Sequence, residues 1–117
     1  MASSPSILTQ FLEDHNEQRT SRNLSSLRYS SELERLAQSQ LDEILRTKKV
    51  QHGRQPEKGL QNIANGKKNL LKPGVCVRLW MGDEGHKRPI LEPSFTHLGI
   101  AYSLDPDNNV IVIGNYQ

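Results

Sequence analysis

One cysteine, Cys76, cannot close an internal disulfide, so noncovalent packing must hold this fold and nothing in it demands an oxidising compartment. Its helical neighbours Lys72, Leu79 and Trp80 point to a buried, inert thiol. Aromatic residues are scarce, at 5%, and hydrophobic residues reach only 34%. That is a lean core for 117 residues, but the apolar positions recur in periodic groups, which argues for one soluble domain over 1–117 rather than a disordered chain. No apolar run approaches the roughly 20 residues of a membrane span. The opening MASSPSILTQFLEDH lacks the long apolar segment of a secretory leader. No serine stands in a G-x-S-x-G, so a serine-hydrolase reading has no anchor.

Acids are nearly missing from the middle of the chain. Residues 46–78 carry nine basic side chains against Glu57 alone, while the segments on either side are net acidic. Such asymmetry points to an anionic partner. Lys48, Lys49, Lys67 and Lys68 are the candidate patch, and each lysine placed against an anionic membrane adds about 1 kcal/mol. Trp80 alone lies near this stretch, and its spacing assigns it to the core, so a stacking platform is missing and no nucleic-acid partner is expected.

Taken in order, Ile7, Leu8, Phe11, Leu12 and His15 repeat at helical spacing from Ser6 to about Arg19. A tethered loop follows, with Leu24 and Leu27 plugging the core. Ser31 and Glu34 read as a capping box opening a second helix to about Lys48, whose buried stripe is Leu33, Leu36, Ala37, Leu41, Ile44 and Leu45. From Val50 to Lys72 no period holds, and the segment reads mostly as loop, pinned to the core by LQNIA. Pro73 suits the first turn of a third helix, buried through Val75, Cys76, Leu79 and Trp80 and ending near Asp83, with Gly82 and Gly85 at its exit. On that helix Asp83 shares a face with Trp80. Pro89 and Pro93 bracket a short turn or a single helical turn. HLGIAYSL and NVIVIGNY, joined by DPDN, read as an antiparallel hairpin. The expected class is α+β, with helices covering a small antiparallel sheet.

Most of the possible site chemistry lies between Leu79 and Ile100. Five stretches together resemble the CAP superfamily of cysteine-rich secretory proteins, venom antigens, plant pathogenesis-related proteins and their bacterial relatives. They are HNEQR at 15–19, LQNIA at 60–64, LWMGD around Trp80, GHKRPIL followed by FTHLGIAY, and the terminal GNY at 114–116. The wording is most similar to the cysteine-poor bacterial branch.

The resemblance implies an α-β-α sandwich whose cleft is lined by two histidines and two acids and in some members holds a divalent cation. By position these are His52, Gln61, Asp83 and His86, so an amide replaces the first acid and a shorter carboxylate the second. Gln61 cannot act as a base. His52, His86 and Asp83 are the metal-ligand candidates and suit zinc better than calcium or magnesium. The resemblance gives His15, Asn16 and Arg19 a structural role, tying the first helix to loops, and spacing makes His97 an ordinary strand-edge residue.

The function expected is a non-enzymatic, secreted module that binds lipid or a protein partner in defence, virulence or host interaction. Anionic lipid ranks above sterol, for which no Tyr- or Phe-rich loop is available. The alternative is a divalent-metal-dependent hydrolase or peptidase using His52, His86 and Asp83. The resemblance implies an extracellular location, with a cytoplasmic or peripheral-membrane relative as the alternative.

Overall fold

A computed structural model describes residues 6–117. Met1–Pro5, part of the stretch read for a leader, lie outside the described residues.

Ser6 caps α1 (Ile7–Thr20), its side chain accepting from Thr9 N–H, and Phe11, His15 and Arg19 form the buried stripe. The second helix, α2 (Ser31–Thr47), is capped by Ser30 rather than Ser31: the Ser30 hydroxyl accepts from Leu33 N–H. Glu34, free of a capping role, accepts instead from the Tyr29 hydroxyl. The buried face consists of Leu33, Ala37, Gln40, Leu41 and Ile44, with Leu45 exposed and Leu36 half-buried.

The segment expected to be loop contains β2 (Leu60–Lys67). It pairs antiparallel with β4 (Asn109–Tyr116), which pairs antiparallel with β3 (His97–Leu104), the hairpin read from the sequence. On the far edge the two-residue β1 (Arg28–Tyr29) runs parallel to β3. The sheet, in the order β1-β3-β4-β2, is therefore four-stranded, with the hairpin read from the sequence at its centre, β2 added antiparallel on one edge and β1 parallel on the other.

Pro73 opens α3 (Pro73–Met81), which buries Cys76, Val77 and Trp80 and leaves Leu79 exposed. Gly82 closes it, and the chain restarts at once in α4 (Glu84–Leu91) with Asp83 as N-cap. Thus Asp83 does not share a helix with Trp80, Gly85 lies within a helix, and the bracket between the prolines is part of a two-turn helix. Pro89 sits inside α4 and is buried with Ile90.

Strand alternation sorts the core into two layers. Ile111 and Ile113 of β4 meet Ala37, Leu41 and Ile44 of α2. Val110, Val112 and Tyr116 face the opposite way, into a cluster with Phe11 of α1, Cys76, Val77 and Trp80 of α3 and Ile90 of α4. The result is an α-β-α sandwich. At Gly99 the backbone of α2 comes so close that a Cβ would stand 2.2 Å from Glu34 N, which fixes where α2 begins on the sheet.

Candidate functional site

The residues singled out from the sequence form two pairs flanking the edge strand β2. His52, in the exposed loop before β2, has Nδ1 3.0 Å from Gln61 Oε1. His86, in the first turn of α4, has Nδ1 2.6 Å from Asp83 Oδ2, and Asp83 Oδ2 also accepts from His86 N–H. A carboxylate at a helix N-terminus is favourable in its own right, because unpaired N–H groups point at it.

The pairs belong to opposite faces of the sheet. Gln61 points toward α2, where its Nε2 donates to Asn115 Oδ1 at 2.8 Å and the Asn115 Nδ2 donates to Leu33 O at 3.2 Å. The next residue, Asn62, points the other way and donates through Nδ2 to His86 O at 2.8 Å. The two histidines are thus anchored by consecutive residues of one strand.

The amide relay fixes a tautomer. Leu33 O can only accept, so Asn115 must offer its NH2 there and its oxygen to Gln61. Gln61 must then turn its own NH2 to Asn115 and its oxygen to His52 and to Gly53 N–H, 3.3 Å away. In neutral His52 it is therefore Nδ1 that carries the proton, and Nε2 is left as an acceptor. The Asp83 carboxylate imposes the same tautomer on neutral His86. In this respect Gln61 orients its histidine as a carboxylate would, without the negative charge.

Behind the pairs runs a buried polar chain built from the other motif residues. The His15 Nδ1 donates to Phe11 O at 2.7 Å, so Nε2 accepts from the Tyr116 hydroxyl at 2.7 Å, and Tyr116 Oη accepts from Asn62 Nδ2 at 3.2 Å. His15 and Tyr116 are both fully buried. Desolvation lowers the His15 pKa to about 4, and the nearby Arg19 charge pushes the same way against the Phe11 bond. Desolvation likewise raises the Tyr116 pKa, so both groups stay neutral. Asn16 bridges Leu27 on both sides, donating to its carbonyl at 3.1 Å and accepting from its N–H at 2.6 Å. Arg19 directs its guanidinium at four backbone carbonyls, those of Ser25, Ile90, Glu92 and Phe95. His15, Asn16 and Arg19 thus have the structural role expected of them.

Among the described residues no group of three or more His, Cys, Asp or Glu side chains gathers so as to hold a metal ion. Cys76 is buried, with desolvation raising its thiol pKa to about 12, as its inert reading requires. His97 is exposed at the start of β3, with Nδ1 2.7 Å from Thr96 Oγ1.

The basic residues lie elsewhere. Lys67, Lys68 and Lys72 line a cavity of about 500 Å³ together with Asn69, Asp107 and Asn108. Lys48, in a left-handed backbone conformation, caps the C-terminus of α2, and Lys49 follows it into solvent. Sequence reasoning misses Lys72 and the exposed Leu70 as members of this region, although the run KKNLLK carries both.

A family model described as the cysteine-rich secretory protein family, CAP, matches residues 12–116. A Bacillus subtilis (strain 168) protein described as "Uncharacterized protein YkwD" is 48% identical over 42 residues, which are 36% of this chain and 15% of that relative's length. An outer surface protein from Borrelia burgdorferi superposes with a TM-score of 0.80 at 15% identity, covering 99% of this chain and 97% of that one. An extracellular protein containing an SCP domain, from Bacillus anthracis str. Ames, superposes with a TM-score of 0.68 at 19% identity, covering 97% of this chain and 45% of that one. At these identities the structural likeness speaks for the fold alone.

Proposed function

Because the chain belongs to the cysteine-rich secretory protein (CAP) family, we propose that it acts outside the cell as a non-enzymatic binding module whose basic end engages an anionic partner. The supporting observation is a set of lysines outside any ion pair, of which Lys67 donates to Asp107 O and lies in the field of Asp105. Among the described residues, Lys48, Lys49, Lys67, Lys68 and Lys72 have no carboxylate within salt-bridge reach, and three of them surround one cavity. Internally unneutralised charge of one sign concentrates anionic ligands near it, and the effect weakens as salt screens it. Changing Lys48, Lys49, Lys67 and Lys68 to Glu is expected to weaken binding to phosphatidylserine vesicles at least a hundredfold at physiological salt, measured by co-sedimentation, at about 1 kcal/mol per lysine. Unchanged binding would sink the proposal.

A second reading concerns the histidines. In their neutral forms His52 and His86 would each present a free Nε2 lone pair on a ring locked from behind by Gln61 or Asp83. Were the two nitrogens to close on one zinc ion, further positions would be left to water or to a ligand, and zinc would supply Lewis-acid activation of bound water. Two protein ligands make a weaker hold than three. Calorimetric titration with Zn²⁺ at neutral pH is expected to give binding that disappears in the His52→Ala/His86→Ala variant. Equal binding by wild type and variant would remove the reading, and with it the hydrolase alternative for this cleft.

A further inference from the structure

Among the described residues six large apolar side chains stand exposed, and three of them, Leu45, Leu70 and Leu104, fall at one end of the sandwich. The register places the end. Lys67 is opposite Asn109 and Leu104 is opposite Val110, so the tips of β2 and β3 lie together at the start of β4.

The C-terminus of α2 reaches the same level. Leu33 is tied to Asn115 at the far end, and the 14 residues from there to Thr47 advance about 21 Å along a helix. The six residues from Asn115 back to Asn109 span about 20 Å of strand. Leu45, Lys48 and Lys49 therefore stand level with Lys67, Lys68, Leu70 and Leu104, before the chain turns back at Gln51, whose carbonyl accepts from Gln40 in the middle of α2.

This end combines the two features that an interfacial membrane surface rewards. Five lysines are available for headgroups, and apolar side chains project between them. Leu70, on the short 3-10 turn Lys68–Leu70, is 58% exposed and is flanked in sequence by Lys67, Lys68 and Lys72. Of the acids at this end, Asp105 turns its carboxylate to Asp107 N–H, Asn109 N–H and Asn109 Nδ2, and Glu43 is paired with Arg46. Asp107 lines the lysine cavity, its carbonyl accepting from Lys67 Nζ at 3.3 Å. A soluble polyanion would use the lysines alone and leave the leucines in water.

We infer that this end of the sandwich docks on an anionic lipid bilayer, with the lysines at the headgroups and Leu70 and Leu104 entering the interfacial layer. The inference rests on the basic-end function proposed above and adds the bilayer as the partner and apolar insertion as the mode.

Its test uses the full chain on vesicles of phosphatidylserine mixed with phosphatidylcholine, and on phosphatidylcholine alone. The Leu70→Ser/Leu104→Ser variant is expected to bind the anionic vesicles about tenfold more weakly than wild type, since each leucine gives up part of its transfer energy. A Leu70→Trp variant, read against the buried Trp80, is expected to shift its emission to the blue on anionic vesicles only. If the leucine variant binds like wild type while the four-lysine variant does not, docking is electrostatic and the insertion is overturned, though the basic-end function survives. If wild type ignores anionic vesicles, this inference falls together with the vesicle-based support for the basic end.

Discussion

Replacing Arg19 by Met is expected to lower the unfolding free energy by about 3 kcal/mol. Arg19 is completely buried. Its Nε donates to Ser25 O at 2.7 Å, one terminal nitrogen to Ile90 O and Glu92 O at 2.9 Å each, and the other to Phe95 O at 3.1 Å. Ile90 lies in the last turn of α4, where helix carbonyls lack an intrahelical partner, Glu92 and Phe95 follow on the way to β3, and the cation also suits the negative end of the helix dipole. Burial pulls the guanidinium pKa down and Glu92 opposes that, but the group stays charged.

Methionine fills the space and donates nothing, leaving the Ser25, Ile90 and Phe95 carbonyls short of a partner at about 1 kcal/mol or more each, while Glu92 O keeps the Phe95 N–H. Lysine keeps the charge but not the planar fork and is expected to recover less than half of the loss. Urea unfolding of the three proteins measures this, and a loss below about 1 kcal/mol for Met would show that water replaces the guanidinium. Because α4 carries His86, the same change is expected to loosen the Asp83–His86 pair.

Acid sensitivity is the second large effect. Neutral His15 is required by its bonds to Phe11 and Tyr116, and burial depresses its pKa to about 4 in the folded state, against about 6.5 when unfolded. Between those values the unfolded chain binds a proton that the folded chain does not, so stability falls as pH falls. The contribution is fully present above about pH 6.5 and is lost progressively toward about pH 4, in all about 3 kcal/mol at roughly 1.36 kcal/mol per unit. Urea midpoints between about pH 7.5 and 5 should decline in wild type and stay nearly level in His15→Gln, which has no imidazole to charge. Parallel slopes would place the acid sensitivity elsewhere.

The parts of the fold that are legible in the sequence are those with apolar periodicity. The β3–β4 hairpin is Ile- and Val-rich on both faces because helices cover both, and α1 and α2 carry clear stripes. The strand β2 escapes because it lies at the sheet edge and turns amides, not aliphatic side chains, inward at Gln61 and Asn62; both are buried only because each is hydrogen-bonded. The helix α4 is obscured by Gly85 and Pro89, whose local penalties its packing against α3 and α1 outweighs. At Leu45 and Leu79 the stripe read from spacing is one position too wide, and the exposure of Leu45 belongs to the basic end of the molecule.

The candidate cleft is legible in a different sense. Spacing alone cannot show that His52 answers to Gln61 and His86 to Asp83; the resemblance proposes the four positions, and the hydrogen bonds sort them into two pairs behind β2. The remaining motif residues, His15, Arg19, Asn62, Asn115 and Tyr116, carry polar chemistry that is satisfied by one another and by backbone groups. They read as a site in sequence because buried hydrogen-bonded frameworks and binding sites draw on the same side chains.

The paired histidines and the lysine end are separate regions of the molecule, and the proposed anionic binding belongs to the second. The most direct measurement is the binding isotherm on phosphatidylserine vesicles for two variants side by side, His52→Ala/His86→Ala and the Lys48, Lys49, Lys67 and Lys68 to Glu protein. The histidine variant is predicted to bind as wild type does and the lysine variant to lose binding. Loss in the histidine variant with the lysine variant unaffected would contradict the assignment and return the function to the cleft.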